Sequence, residues 1–451
     1  MKKTAILALM LAFTAVLPAY GNAPAAENGG TDTTVNLIDK YTAPSDDPPE
    51  IPENFVIPEG YTYEMEYRYF PDGDNNDGIT YMAATMEIHG DRMYYSRKAG
   101  LSYLDLKTGE SYTLCPDPLC DHTLEDGCQF LGLNVPMHHP KKDNIIFALQ
   151  RFTSGMLQRE NICVIDEKNA TITKVYGSDV KGSELGGAIF FNLMAGDKLY
   201  FQSQTPKTTT DEAGNVDTKV VTKYYSLDIN TYEVEEINKK ISGAYIASDK
   251  HILFIDNSIG RVMVTDLDFE NEKVVMEYDP DGLAVWNYCY DSVTDEFYFN
   301  MVSAVLLGNE YEGRDDGYLY RIDKDLNCEK INISDKVINF SLTRDYIYFT
   351  KYEPIELGET VVGGRCAVVN GGNFYRMKRD DTGEVELVFD GGVELNHMIY
   401  DPFYVFGDYM YYLWAYIVEQ EGGAIHFKMA QDCLRVGFTD NTVKSLGLAR
   451  S

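Results

Sequence analysis

The sequence predicts an all-β fold, a single seven-bladed β-propeller of four-stranded antiparallel blades. Three observations lead there. An Asp at a tight turn, followed by a short aromatic or aliphatic strand, recurs at Asp91, Asp143, Asp197, Asp249, Asp295, Asp345 and Asp408, at intervals of 52, 54, 52, 46, 50 and 63 residues. A period of that length marks a repeat architecture, in which one unit cannot bury its apolar faces until its neighbours stack on it. The 34 Tyr and 21 Phe favour strands, and no stretch shows the apolar period of a helix.

The chain begins with Lys2 and Lys3, an apolar run from Ala5 to Leu17, and small residues at Ala19, Gly21 and Ala23. That is the layout of a secretory signal peptide, assigned to residues 1–23. The run is too short to span a bilayer as a stable helix. Leu17-Pro-Ala-Tyr20-Gly-Asn22 also resembles a bacterial lipoprotein box, with Tyr20 where the lipidated Cys would stand. Without that thiol no thioether to lipid forms, so the expectation is an exported protein, extracellular or associated with the cell envelope. Six prolines within 24–60 predict an extended, solvated linker, and the propeller is assigned to 61–451. Residues 61–70 alternate as an extra strand, either joining the last blade or pairing with 80–89.

Each unit then reads the same way. An apolar strand such as Ala188–Ala195 precedes the turn Asp, and a second strand follows it. A third strand ends in its own turn Asp, as at Asp105, Asp166, Asp228, Asp266 and Asp323, and a short outer strand completes the blade. Lys378 and Gly437 stand at the matching places of the last two units. Long polar loops are expected at 204–221, 305–317 and 352–372, between the second and third strands of their blades. They share a face with the blade-to-blade connections, and loop elaboration on one face of a rigid ring is a route to a binding site.

Charge excludes some partners. With 39 Lys+Arg against 71 Asp+Glu the formal charge is −32, which repels nucleic acid and anionic lipid headgroups alike. No segment after the leader is apolar enough to be transmembrane. A hydrophobic content of 44% excludes a disordered chain.

The densest group of soft ligands is Cys115-Pro-Asp-Pro-Leu-Cys120-Asp-His122, followed by Cys128. Three thiols and an imidazole are the ligand set of a tetrahedral zinc ion. An exported compartment instead favours disulfides, and a Cys115–Cys128 bridge would add about 3 kcal/mol by chain entropy. The spacing matches no common zinc knuckle, and a third Cys is left over by any single bridge. Disulfide staple, metal site and free thiols stay open on these residues. His138 and His139 follow ten residues later. Asp72, Asp74 and Asn76 match the first three positions of a calcium loop, but the required Gly falls one place late and Ala83 stands where Glu is needed. A hairpin turn accounts for these residues more simply.

The Asp-x-hydrophobic-Tyr-Tyr/Phe strands with their Tyr-x-x-Asp landmarks resemble the YWTD-type propellers of the LDL-receptor class. Together with Cys115-Pro-Asp-Pro-Leu-Cys120-Asp-His122 they are more similar to bacterial envelope propellers that carry this Cys segment. The resemblance implies a propeller on an exported, commonly lipid-anchored protein, and no particular activity. The seven His form no HExxH, and the G-x-S-x-G and Walker A motifs are absent. The expectation is a non-enzymatic binding or scaffold module for a protein or glycan. The alternative is a polysaccharide hydrolase or lyase with carboxylates or His at the central channel.

Overall fold

The computed structural model describes residues 62–65, 86–89 and 91–445, the last apart from segments of which the longest are 121–127, 304–316, 392–402 and 417–429. The leader at 1–23, the linker at 24–60 and the calcium-loop residues Asp72, Asp74 and Asn76 lie outside the described residues, as does His122.

Each blade is an antiparallel meander, and in blades 1 to 5 two turn aspartates mark its first and third turns. Blade 1 contains Met86–His89, Arg92–Arg97, Gly100–Asp105 and Ser111–Thr113; blade 2, Leu133–His138, Ile145–Ser154, Leu157–Asp166 and Thr171–Gly177. Blade 3 runs through Ala188–Ala195, Lys198–Thr210, Val216–Asp228 and Val234–Ile237; blade 4 through Ala244–Ala247, His251–Asp256, Arg261–Asp266 and Lys273–Glu277. Blade 5 contains Leu283–Asp291, Glu296–Ser303, Gly317–Ile322 and Cys328–Lys330; blade 6, Val337–Leu342, Tyr346–Lys351, Phe374–Lys378 and Glu386–Phe389. Blade 7 contains Phe403–Phe406, Tyr409–Tyr416, Ala430–Gly437 and Thr442–Ser445. These are seven four-stranded sheets, and among the described residues there is no helix: the chain is a seven-bladed β-propeller. The first strands of blades 1 and 2, 3 and 4, 4 and 5, and 6 and 7 lie against one another on the inner side of the ring.

Thr62–Met65 settles the choice left open for 61–70. It pairs in parallel with Thr442–Ser445 as a fifth, outermost strand of blade 7. Where residues are described, the expected loops at 204–221 and 352–372 are mostly β-structure instead. The second and third strands of blade 3 continue as a paired ladder from Lys198↔Asp228 out to Thr210↔Val216. In blade 6, Pro354–Val362 and Arg365–Asn370 form a separate two-stranded hairpin. Most of 305–317 lies outside the described residues.

One apolar cluster fills each gap between neighbouring blades. Phe147, Ile162, Leu199 and Phe201 pack between blades 2 and 3, and Leu253, Val264, Phe297 and Phe299 between blades 4 and 5. Met93, Tyr95, Leu104 and Tyr411 lie between blades 7 and 1, so the ring closes through side chains. Large rings suit a gap that widens outward because each removes much apolar area from water.

Nearer the axis the blades are joined by polar side chains. Arg151 donates to Ile189 O at 2.7 Å from blade 2 to blade 3, and Asn192 reaches Ile241 O at 3.4 Å toward blade 4. Asn257 accepts the Val285 N–H of blade 5 at 3.0 Å, and Asn287 donates to Asn339 of blade 6 at 2.6 Å. Ser341 accepts the Val405 N–H of blade 7 at 3.2 Å. Several inner strands carry a bulge, for example between Phe191 and Leu193 and between Val285 and Tyr288. Bulged backbone has unpaired groups, which a neighbouring amide can satisfy.

Candidate metal centre

The connection from Thr113 to Leu133 links the outer strand of blade 1 to the inner strand of blade 2. Its two ends are fixed by the blades. Leu114 N–H donates to Leu101 O at 3.1 Å, prolonging the outer strand. The buried Gln150 of blade 2 donates to Gln129 O at 2.8 Å and Leu131 O at 3.1 Å. Phe130 is buried between the blades, and its carbonyl lies so close to Gly100 that a Cβ there would stand 2.2 Å away. Gly100 has φ +119°, so both backbone conformation and space require glycine.

Between these anchors a turn folds the chain back. Asp117 accepts the Leu119 N–H on its carboxylate at 2.9 Å and the Cys120 N–H on its carbonyl at 3.2 Å. The turn brings Cys120 to Cys115, and Cys128 lies beside both. Their three sulfurs lie within 4.8 Å of one another, with Cys115 Sγ and Cys128 Sγ 3.9 Å apart and no S–S bond between them. The Asp117 and Phe130 amides donate to Cys115 and Cys128 respectively. Burial pushes the Cys128 thiol up to about 12 and raises that of Cys115 as well. As isolated thiols at neutral pH these two are protonated, which makes them poor nucleophiles.

His138 and His139 do not join the group. His138 ends the inner strand that begins at Leu133, and a strand advances about 3.3 Å per residue, so it reaches the opposite face. There it stacks on His89 at a ring separation of 4.0 Å, with Tyr94 tilted against it at 4.3 Å. His139 is buried beside Phe147, and burial holds its imidazole below the ordinary range. Cys163 is buried on blade 2, while Cys289 and Cys328 stand singly on blade 5.

The seven repeat aspartates are spread round the opposite face, one per blade, and form no single constellation. The carbonyls of Asp91, Asp197, Asp345 and Asp408 accept the amides of Leu106, Ile229, Arg379 and Phe438, which ties each first turn to the end of its blade's third strand. The side chains of Asp197 and Asp295 reach back to the preceding blade, accepting from Lys141 at 2.6 Å and Lys250 at 3.2 Å. Asp143 lies 4.0 Å from His89, and Asp91 pairs with Lys107 within its own blade. Asp249 begins a two-residue turn before His251. These groups build blades.

Among the described side chains the inner strands contribute one carboxylate, Asp291 on blade 5, which is engaged by Arg379 at 2.6 Å. Sequence reasoning passed over Arg379, which also donates to Tyr298 of blade 5 at 2.9 Å. It passed over Asn300 as well. The available signal was a lone polar residue inside the apolar run Phe297–Val302, since a buried polar group is more informative than a buried apolar one.

No family model and no curated protein matches the chain. Among solved structures it is similar to an oligogalacturonate lyase from Vibrio parahaemolyticus, 12% identical, covering 72% of this chain and 83% of that one, with a TM-score of 0.43. It is also similar to TolB from Acinetobacter baumannii, at 13% identity over 79% of this chain and 77% of that one, with a TM-score of 0.33. A third is the calcium-binding protein regucalcin from Agrobacterium tumefaciens, at 12% identity over 52% and 72%, with a TM-score of 0.31. At such identities the likeness is one of fold.

Proposed function

We propose that the chain is an exported binding or scaffold module that docks a protein or glycan on one face of its propeller. The observation that carries this reading is the asymmetry between the two faces. Turns joining first to second and third to fourth strands are short, as at Gly196-Asp197 and Gly407-Asp408. The other face bears the extended hairpin of Lys198–Asp228, the separate hairpin of Pro354–Asn370 and the cysteine-bearing connection. It also presents apolar side chains to water: Leu119 is 87% exposed, Val220 58% and Ile259 53%. Apolar groups on projecting hairpins above a rigid ring form a surface suited to recognition.

The test is a variant in which the ladder beyond Thr205–Val221 and the Pro354–Asn370 hairpin are each replaced by a short turn. It is compared with the unaltered chain on a glycan array and in pull-downs from envelope extract. A stoichiometric protein or a defined glycan retained by the unaltered chain and lost by the variant, with the β-sheet circular dichroism spectrum kept, is the expected result. Release of reducing or unsaturated sugar ends from a polysaccharide, or retention that ignores the hairpins, would overturn it.

A further inference from the structure

We propose that Cys115, Cys120 and Cys128 bind one zinc ion, which fastens the connection between blades 1 and 2. The sulfur spacing fits an ion. Sulfurs about 2.3 Å from a tetrahedral zinc stand about 3.8 Å from each other, and Cys115 Sγ and Cys128 Sγ are 3.9 Å apart. A disulfide brings two sulfurs to about 2.05 Å. It would also use two of the three and leave the third packed against the bond, whereas all three converge here within 4.8 Å. One ion employs every member of the group.

The backbone round the sulfurs suits thiolates. Amide donors already point at two of them, from Asp117 to Cys115 and from Phe130 to Cys128. Each donor lies two residues after its cysteine, where the chain turns round its own side chain. Such hydrogen bonds disperse the charge that a thiolate keeps when it ligates a metal. Zinc binding exchanges three S–H protons, released to solvent, for three Zn–S bonds.

Leu114 and Phe130 anchor the ends of the segment in the core between blades 1 and 2, but Leu119, at its turn, is 87% exposed. Cys120 lies next to this exposed turn residue, so a cross-link among Cys115, Cys120 and Cys128 ties the turn to the anchored ends. Three soft thiolates select zinc over the oxygen-seeking calcium and magnesium. Among the described residues no carboxylate or imidazole joins the group, so one position of a tetrahedral ion is left to another donor. The site stands independently of the docking role of its face, and its test reads no binding to a partner.

Reduced, metal-free full-length chain is titrated with cobalt(II), then with zinc. The expected result is a thiolate-to-cobalt charge-transfer absorption that saturates at one ion per chain and is lost when zinc displaces the cobalt. It is absent from the Cys115→Ser/Cys120→Ser/Cys128→Ser variant and kept in Cys163→Ser. Should the triple variant not fold, the unaltered chain decides by alkylation with peptide mapping. Zinc is expected to slow modification of Cys115, Cys120 and Cys128 at least tenfold. Absence of the cobalt band, alkylation indifferent to zinc, or a bridge mapped between two of these cysteines in protein isolated without reductant would each overturn the proposal.

Discussion

Asn300 shows what one residue does for this ring. It lies in the middle of the apolar strand Glu296–Ser303 and has no exposure to solvent. Its amide donates to Val337 O at 3.3 Å and to Ile338 O, both in blade 6, while its oxygen accepts the Asn287 N–H at 2.7 Å. One side chain therefore satisfies a bulged inner strand of its own blade and the neighbouring inner strand. Each buried group left without a partner costs about 1–3 kcal/mol. Asn300→Ala is expected to destabilise the propeller by about 3 kcal/mol, read as a lower denaturation midpoint. A midpoint equal to that of the unaltered chain would mean that water replaces the amide at no cost. Arg379 works at the same seam from the turn side, through Asp291 and Tyr298.

At the scale of the element, the turn aspartates carry a pH signature. Asp228 accepts the amides of Thr231 and Asn230, both at 2.8 Å, and these bonds hold its carboxyl below the usual range. Asp105, Asp166 and Asp266 are lowered too, chiefly by Thr108, Asn169 and Glu270 respectively. A carboxyl lowered on folding contributes stability above its unfolded pKa of about 3.9, and that contribution is lost as pH falls through the folded value. Asp228→Asn is therefore expected to melt below the unaltered chain at pH 7, with the gap closing below about pH 4. The comparison cancels the relief of self-repulsion that acid brings to a chain of charge −32. A gap independent of pH would mean that the charged form of Asp228 adds nothing beyond what an amide supplies. These turns were legible because Asp followed by two or three polar residues is a turn signal with a local mechanism. The hairpin ladder of blade 3 was not. Gln202-Ser-Gln-Thr-Pro-Lys-Thr-Thr-Thr210 is polar throughout, so it lacks the apolar alternation that identifies a half-buried strand. Its strand character comes from cross-strand pairing that continues beyond the blade, which no window along the chain contains. The cysteine group was half legible for a similar reason. Its residue types pointed to soft-ligand chemistry, whereas the convergence of three sulfurs depends on the Asp117 turn and on anchors from both blades.

At the scale of the whole molecule, the question is what closes the ring. Blade 7 is complete within 403–445, so Thr62–Met65 supplies none of its four core strands and is added outside them. Its few ladder bonds, worth about 1 kcal/mol each in net terms, are offset by about 1–2 kcal/mol for ordering each residue. Closure rests instead on Tyr411, which is 1% exposed, packs against Met93, Tyr95, Leu104 and Leu106 of blade 1, and directs its hydroxyl to Leu106 O at 3.4 Å. Among the described residues the buried cluster of this seam joins four side chains of blade 1 to the single ring of Tyr411 from blade 7. Truncating a buried aromatic costs about 3–5 kcal/mol, and here the loss falls on the contact that closes the ring. Tyr411→Ala is thus expected to lower the denaturation midpoint strongly, with exchange of blade 1 and blade 7 amides accelerating before those of blades 2 to 5. Removing residues 1–66 is expected to leave the midpoint almost unchanged while exposing the edge of Thr442–Ser445, which promotes self-association at high concentration. The opposite ranking, with truncation costing more than Tyr411→Ala, would make the parallel outer strand the clasp of the propeller.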